Sequence, residues 1–299
     1  MIKIRSPLFY VGDKYKLMPQ LKKLFPENIN NFYDVFAGGG SASINTDANF
    51  YHLNDLDNNI IDLHLLLYNN SENIEAFIKE MYGLINKYGL SHSEIYKNEE
   101  IENLKKIYKK TYYSIYNKNA YIELRNDYNN NLNTHLLYLL LVYGFNHMIR
   151  FNKSGNFNLP VGNVDWNKNV TIALKNYSEW VKKSKITYYN YDFEEFLNSK
   201  NFENEDFVYL DPPYLISLSD YNKYWGVKEE ERLYKVLDNL NAEGIKWGLS
   251  NLVKHKGKEN EILLNWAKKY KEYEVKSNYI SRFDNSIKKD SREIYVTNF

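Results

Sequence analysis

The chain has 299 residues and a mass of 35.7 kDa, with 43% hydrophobic and 26% charged residues, enough for one large domain or a core carrying an insertion. Cysteine is absent, which excludes disulfides, thiolate zinc sites, iron–sulfur clusters and cysteine nucleophiles. Lys and Arg number 39 against 38 Asp and Glu, and a net charge of +1 excludes attachment to a nucleic acid by bulk positive charge.

That near-neutral total hides blocks of opposite sign. Residues 145–190 carry +5, residues 192–243 carry −8 and residues 246–292 carry +6. The 29 Tyr and 42 Asn fit the coding bias of an AT-rich genome. The opening residues, Met1–Pro7, contain no signal-peptide core, and no apolar run reaches about 18 residues. A cytoplasmic, soluble protein without membrane contact is expected.

In chain order, an amphipathic helical pattern over Tyr15–Phe25 precedes an apolar strand, Asn31–Phe36. The strand runs into Gly38-Gly39-Gly40 and then into small residues that open a helix. Glycines at the carboxyl end of such a strand let the backbone approach a ligand, and the helix start offers unpaired N–H groups. A plain turn is the competing reading, and the third glycine of a dinucleotide fingerprint is missing. The next strand, Tyr51–Leu53, leads to Asp55, where a carboxylate can accept from both hydroxyls of a ribose. Asp57 competes for that role but suits a cap of the helix predicted over Asn58–Tyr68.

From about 70 to 150 the strand–helix rhythm gives way to helical patterns ending in the apolar run His135–Val142, which predicts a helical insertion. Gly155-Asn-Phe-Asn158 suggests a hairpin, and Phe145 and Met148 are expected in the core. Strands resume at Ile186–Tyr191, Phe207–Leu210, Ile245–Leu249, Tyr273–Tyr279 and Ile294–Val296, with helices over Lys228–Leu240 and Glu259–Tyr270 between them. This alternation predicts an α/β fold with a mostly parallel sheet.

The strand Phe207–Leu210 ends in Asp211-Pro212-Pro213-Tyr214. Two prolines lack N–H groups and cannot continue a central strand, so carbonyls are left rigidly aimed. Asp211 and the Pro212 carbonyl can accept the two protons of an amino group on a planar ring, while Tyr214 stacks on that ring. The nitrogen lone pair is then turned toward an electrophile.

Phe36-x-Gly38-x-Gly40 followed by Asp211-Pro-Pro-Tyr214 resembles the Dam-type, alpha-group DNA adenine-N6 methyltransferases. Phe9-Tyr10-Val-Gly12-Asp13-Lys14 is similar to the family's Trp-Ala-Gly-Gly-Lys motif, with Tyr10 in place of Trp and Asp13 in place of the second Gly. Arg150-Phe-Asn152 through Gly155-Asn-Phe157-Asn158-Leu-Pro160-Val-Gly162 is similar to its Arg-Tyr-Asn…Gly-x-Phe-Asn-Val-Pro-x-Gly segment. Trp247-Gly-Leu-Ser250-Asn251 and Ile294-Tyr-Val-Thr297-Asn298 match its late strands, so the resemblance spans nearly the whole chain.

The resemblance implies a Rossmann-like methyltransferase fold with about seven strands. The catalytic core would be 1–69 and 165–299, with an inserted, mainly helical target-recognition domain over 70–164. It implies S-adenosylmethionine as cofactor, held by Tyr10, Gly12, Lys14, Phe36, Gly38, Gly40, Asp55, Asp192 and Phe193. Helix capping is the competing role for Asp192. Asp211, Pro212, Pro213 and Tyr214 would act on an adenine flipped out of duplex DNA. Asn146, Arg150, Asn152 and Asn158 would contact the DNA, Arg150 at a guanine edge. No metal is implied. A monomer is expected, from a restriction-modification system or a phage, with any cognate restriction endonuclease acting separately. An RNA adenine-N6 methyltransferase is the alternative.

Overall fold

The computed structural model describes residues 3–217, 225–276 and 291–299, which form two compact units. One comprises Lys14–Asn58 and Ser184–Phe299; the other comprises Asn59–Lys183 with the segment ending at Asp13.

The first unit is built on one sheet. Its strands are β1 (Asn31–Asp34), β2 (Phe50–Asn54), β3 (Lys185–Tyr189), β4 (Phe207–Leu210), β5 (Lys246–His255), β6 (Lys258–Glu259), β7 (Lys271–Val275) and β8 (Arg292–Thr297). Their order is β3-β2-β1-β4-β5-β8-β7, with β6 paired to β5 alone. The pairs from β3 to β5 are parallel, and β8 lies antiparallel between β5 and β7. The expected α/β class and mostly parallel sheet are borne out.

Burial explains the strand sequences. Central β4, Phe-Val-Tyr-Leu, is buried at every position: β1 and β5 flank it, Phe207 and Tyr209 pack against Phe25, and Val208 and Leu210 join the core on the other face. Edge strand β7, Lys-Glu-Tyr-Glu-Val, is exposed at all but its last residue, as a charged edge discourages further pairing. Gly248 in β5 is demanded by packing, since a Cβ there would lie 1.9 Å from the Tyr295 hydroxyl. The helix Val227–Ala242 packs its apolar stripe, Leu233, Val236, Leu237 and Leu240, into the same core.

Sequence and structure differ in detail. The pattern over Tyr15–Phe25 yields only the helix Met18–Leu21 and a 3₁₀ turn at Lys22–Leu24. Pro19 has no N–H and is confined to a first helical turn, which delays the start. The predicted strand Tyr273–Tyr279 is observed as Lys271–Val275, and its last residues, 277–279, lie outside the described residues.

The second unit is helical: Ile74–Tyr88, Glu99–Tyr108, Lys118–Asn131, Thr134–Tyr143 and Lys168–Val181 are its longer helices. It takes in the whole of 70–164 and extends past it at both ends. Its asparagines have a local use, because the Asn73, Asn98, Asn133 and Asn167 side chains each cap a helix start. The helix Thr134–Tyr143 is buried from Leu136 to Tyr143, as its apolar sequence requires. Among the described residues no helix is long and apolar enough to cross a membrane.

Candidate active site

Strand order reverses between β1 and β4, where successive crossovers leave in opposite directions and open a crevice at the carboxyl ends. Two sequence motifs emerge there: the glycine turn after β1, and Asp211–Tyr214 after β4.

The glycine turn is closed from β2. Gly38 and Gly40 have φ of 47° and 70°, a region that penalises any side chain. The Gly38 N–H donates to Asp55 Oδ2 at 2.8 Å, and the Asp57 N–H donates to Oδ1 at 3.0 Å. Burial pushes the Asp55 carboxyl up to about 6, against the lowering effect of these backbone donors. The Ala37 N–H donates to the Asn54 carbonyl at 2.8 Å, joining the same two strand ends. Ser41, in the helix Ser41–Ile44 that follows, has a buried hydroxyl with no hydrogen-bond partner. Asp34, at the end of β1, accepts from the Ser43 hydroxyl at 2.7 Å, and desolvation pushes its carboxyl up to about 7.

An aromatic trio lies beside the turn. Phe36, Phe193 and Trp225 have ring centroids 5.5–5.7 Å apart. Trp225 is fixed by donating its indole N–H to Glu230 Oε2 at 2.6 Å. The fully buried Glu230 also accepts from Tyr234, Asn251 and Asn260. Asp192 does cap the helix Phe193–Asn198, accepting from the Glu194 N–H at 3.0 Å, and its other oxygen pairs with Arg232 at 2.5 Å. Arg232 in turn sits over the Phe193 ring.

Asp211 is the centre of a polar cluster. Its Oδ2 lies 2.6 Å from Lys14 Nζ, and its Oδ1 accepts from the Tyr214 hydroxyl at 3.1 Å. Glu293, on β8, stands 3.7 Å from the same ammonium and accepts from the same hydroxyl at 2.9 Å. The Asp211 side chain keeps 18% of its surface exposed, whereas that of Glu293 keeps 1%. Burial raises the Asp211 carboxyl above its ordinary value, Lys14 pulls it down, and Glu293 pushes it up again. Pro212 is buried and Pro213 half-buried, and neither continues the strand.

The first unit therefore gathers Lys14, Phe36, Gly38, Gly40, Asp55, Asp192, Phe193 and Asp211–Tyr214. Sequence reasoning passed over Asp34, Trp225, Glu230 and Glu293. Glu293 carried a usable sign, an acid directly before the apolar run Ile294–Val296. The second unit holds Tyr10, Gly12 and the four expected DNA contacts. Tyr10 accepts from the Asp13 N–H, and Gly12 has a φ of 82°, so this segment is a tight turn.

The hairpin read from Gly155–Asn158 is present. Phe151 bridges Phe157, and Gly155 turns the chain at a φ of 79°. Within it Arg150 donates to the Asn158 side chain at 2.9 Å and to its carbonyl at 2.8 Å. Asn152 accepts from the Ser154 and Asn156 amides. Asn146 is exposed with a φ of 54°. Phe145, expected in the core, is instead 43% exposed, because the left-handed turn at Asn146 and His147 leads the chain away from the helix before it.

The D12 class N6 adenine-specific DNA methyltransferase family matches residues 10–280. The type II methyltransferase M.FokI of Planomicrobium okeanokoites is 33% identical over 99% of this chain, which spans only 43% of that protein. The type II methyltransferase M1.LlaDCHI of Lactococcus lactis subsp. cremoris is 26% identical over 100% of this chain and 96% of its own length. The DNA adenine methylase of Vibrio cholerae is 25% identical over 76% of this chain and 72% of its own. With the glycine turn and Asp-Pro-Pro-Tyr side by side at the switch point, the expected resemblance holds, and the chain belongs to the D12 class N6 adenine-specific DNA methyltransferase family.

Proposed function

We propose that the protein methylates the N6 nitrogen of adenine in duplex DNA at a specific sequence, with S-adenosylmethionine as donor. The observation that carries this reading is the meeting of the β1 glycine turn and Asp211–Tyr214 at one sheet crevice. The residues fit the donor. A turn with two positive-φ glycines, a carboxyl at Asp55, a buried unpartnered Ser41 hydroxyl and the Phe36–Phe193–Trp225 trio suit an amino acid, a ribose and a purine in turn. Asp192, carrying a cap and an ion pair, would contribute mainly by holding Phe193. Assignment of Tyr10 and Gly12 to the donor rests on the resemblance alone.

When bound, S-adenosylmethionine supplies an electrophilic methyl group on a positively charged sulfur. Asp211 and the Pro212 carbonyl accept the two N6 protons, which turns the nitrogen lone pair out of the base plane. Tyr214 stacks on the base, and Pro212 and Pro213 keep the acceptors rigid. As the methyl–sulfur bond gives way to the N6–methyl bond and leaves a neutral thioether, the Asp211 carboxylate would stabilise the positive charge growing on N6 and receive the excess N6 proton on its way to solvent. Positioning of this kind supplies roughly 7–11 kcal/mol of a barrier.

The inserted residues 70–164 would read the target sequence. Asn146, held on a left-handed turn beside exposed Phe145, suits the space a flipped adenine leaves. Arg150, Asn152 and Asn158 form one braced hairpin, so Arg150 would meet a guanine edge as a preset donor. A monomer acting in the cytoplasm fits one transfer per strand, with any cognate restriction endonuclease working separately. Methyl incorporation into duplex DNA, compared with ribosomal RNA, tests the proposal; incorporation into RNA alone would favour the RNA enzyme instead.

A further inference from the structure

Glu293 and Glu230 are buried carboxyl groups with opposite circumstances. Glu230 has both oxygens occupied, by Trp225, Tyr234, Asn251 and Asn260. Glu293 uses Oε1 for the Tyr214 hydroxyl and stands near Lys14, while its Oε2 is buried with no hydrogen-bond partner. An acceptor with unused capacity, shut away from water, is costly unless something is to be received there.

The cluster suggests what is received. Asp211 must accept an amino proton and face a growing positive charge, yet Lys14 already sits on Oδ2 and Tyr214 on Oδ1. An ammonium left there would compete with the incoming amine and cancel the charge that stabilises it. Both partners of Asp211 are also partners of Glu293. Lys14 would need to move only about 1 Å to bring its 3.7 Å separation from Glu293 to charge-assisted hydrogen-bond length.

We propose that Glu293 is a positioning residue for methyl transfer, taking over Lys14 and the Tyr214 hydroxyl when Asp211 engages the adenine amino group. This rests on the function proposed above. The groups facing Glu293 are Lys14, Asp211, Tyr214 and Tyr209; its register partners on β5 and β7, Leu252 and Val275, do not titrate.

The test compares wild type, Glu293→Gln and Glu293→Asp in steady-state methylation of duplex DNA across pH. Gln keeps the shape and an acceptor oxygen but lacks the charge that would draw the ammonium from Asp211. Its kcat is expected to fall roughly 10- to 100-fold, with KM for DNA and for S-adenosylmethionine little changed. Because the Glu293 charge raises Asp211, the acid limb of the Gln variant should also move to lower pH. Asp restores a carboxylate and should recover part of kcat, which keeps the test decisive if Gln misfolds. Wild-type kcat and pH profile in the Gln variant would overturn the role, as would equal losses in Gln and Asp without a pH shift. Absence of transfer by the wild-type protein would overturn the proposed function itself, and this role with it.

Discussion

Lys14 holds its ammonium 2.6 Å from Asp211 Oδ2, in a pocket that exposes only 6% of the lysine side chain. An ion pair this dry is held by geometry, and if Asp211 loses its charge Glu293, 3.7 Å from the same ammonium, is the carboxylate that remains beside it. Asp211→Asn keeps the shape and removes the charge proposed above to face N6. Methyl transfer is expected to fall by roughly 10²–10³-fold or more, with cofactor affinity retained, as read by single-turnover incorporation and cofactor titration.

Gly38→Ala and Gly40→Ala each place a Cβ at a positive φ. The strain costs about 1–2 kcal/mol. At Gly38 it also pulls on the N–H held by Asp55. Cofactor affinity should weaken roughly tenfold for each 1.4 kcal/mol that appears in binding, and isothermal titration measures it. Unchanged affinity in both variants would mean that the turn does not cradle the cofactor.

Asp34 sets a pH dependence of stability. Its carboxyl is lifted from 3.8 to about 7, so the folded chain holds a proton that the unfolded chain releases across that window. Its stabilising contribution is complete below about pH 4 and lost as pH rises through about 7. The lift is worth at most about 4 kcal/mol. Asn can still accept from Ser43 Oγ and carries no charge, so Asp34→Asn should melt above wild type at pH 8. The difference should shrink toward pH 4 in thermal denaturation.

Glu230→Ala leaves the Trp225, Tyr234, Asn251 and Asn260 donors without their acceptor in a fully buried site. Each orphaned donor costs about 1–3 kcal/mol, so a loss of at least about 3 kcal/mol is expected in urea denaturation. Release of Trp225 from beside Phe36 and Phe193 should also weaken cofactor binding in whatever fraction remains folded.

Apolar runs placed the strands well because a two-sided parallel sheet buries every residue of strands such as β4, and such strands read as continuous hydrophobic sequence. Asp211-Pro-Pro-Tyr was legible because prolines stop a strand for covalent reasons, independent of tertiary context. β6 was not, since two residues, Lys258 and Glu259, become a strand only by pairing with Lys254 and His255 of β5. Glu293 and Trp225 escaped because their partners are distant in sequence: Lys14 and Tyr214 for one, Phe36 and Phe193 for the other. Phe145 was misplaced because burial was inferred from side-chain type, whereas the left-handed turn at Asn146 decides where the ring goes.

The most direct measurement is methyl incorporation from labelled S-adenosylmethionine into duplex DNA, followed by methylation-sensitive sequencing of DNA from cells expressing the protein. N6-methyladenine in one fixed sequence context is expected, and Asp211→Asn should abolish it. No adenine methylation in any duplex DNA, or an equal signal from the Asp211→Asn variant, would contradict the assignment of Asp211–Tyr214 as the site of transfer.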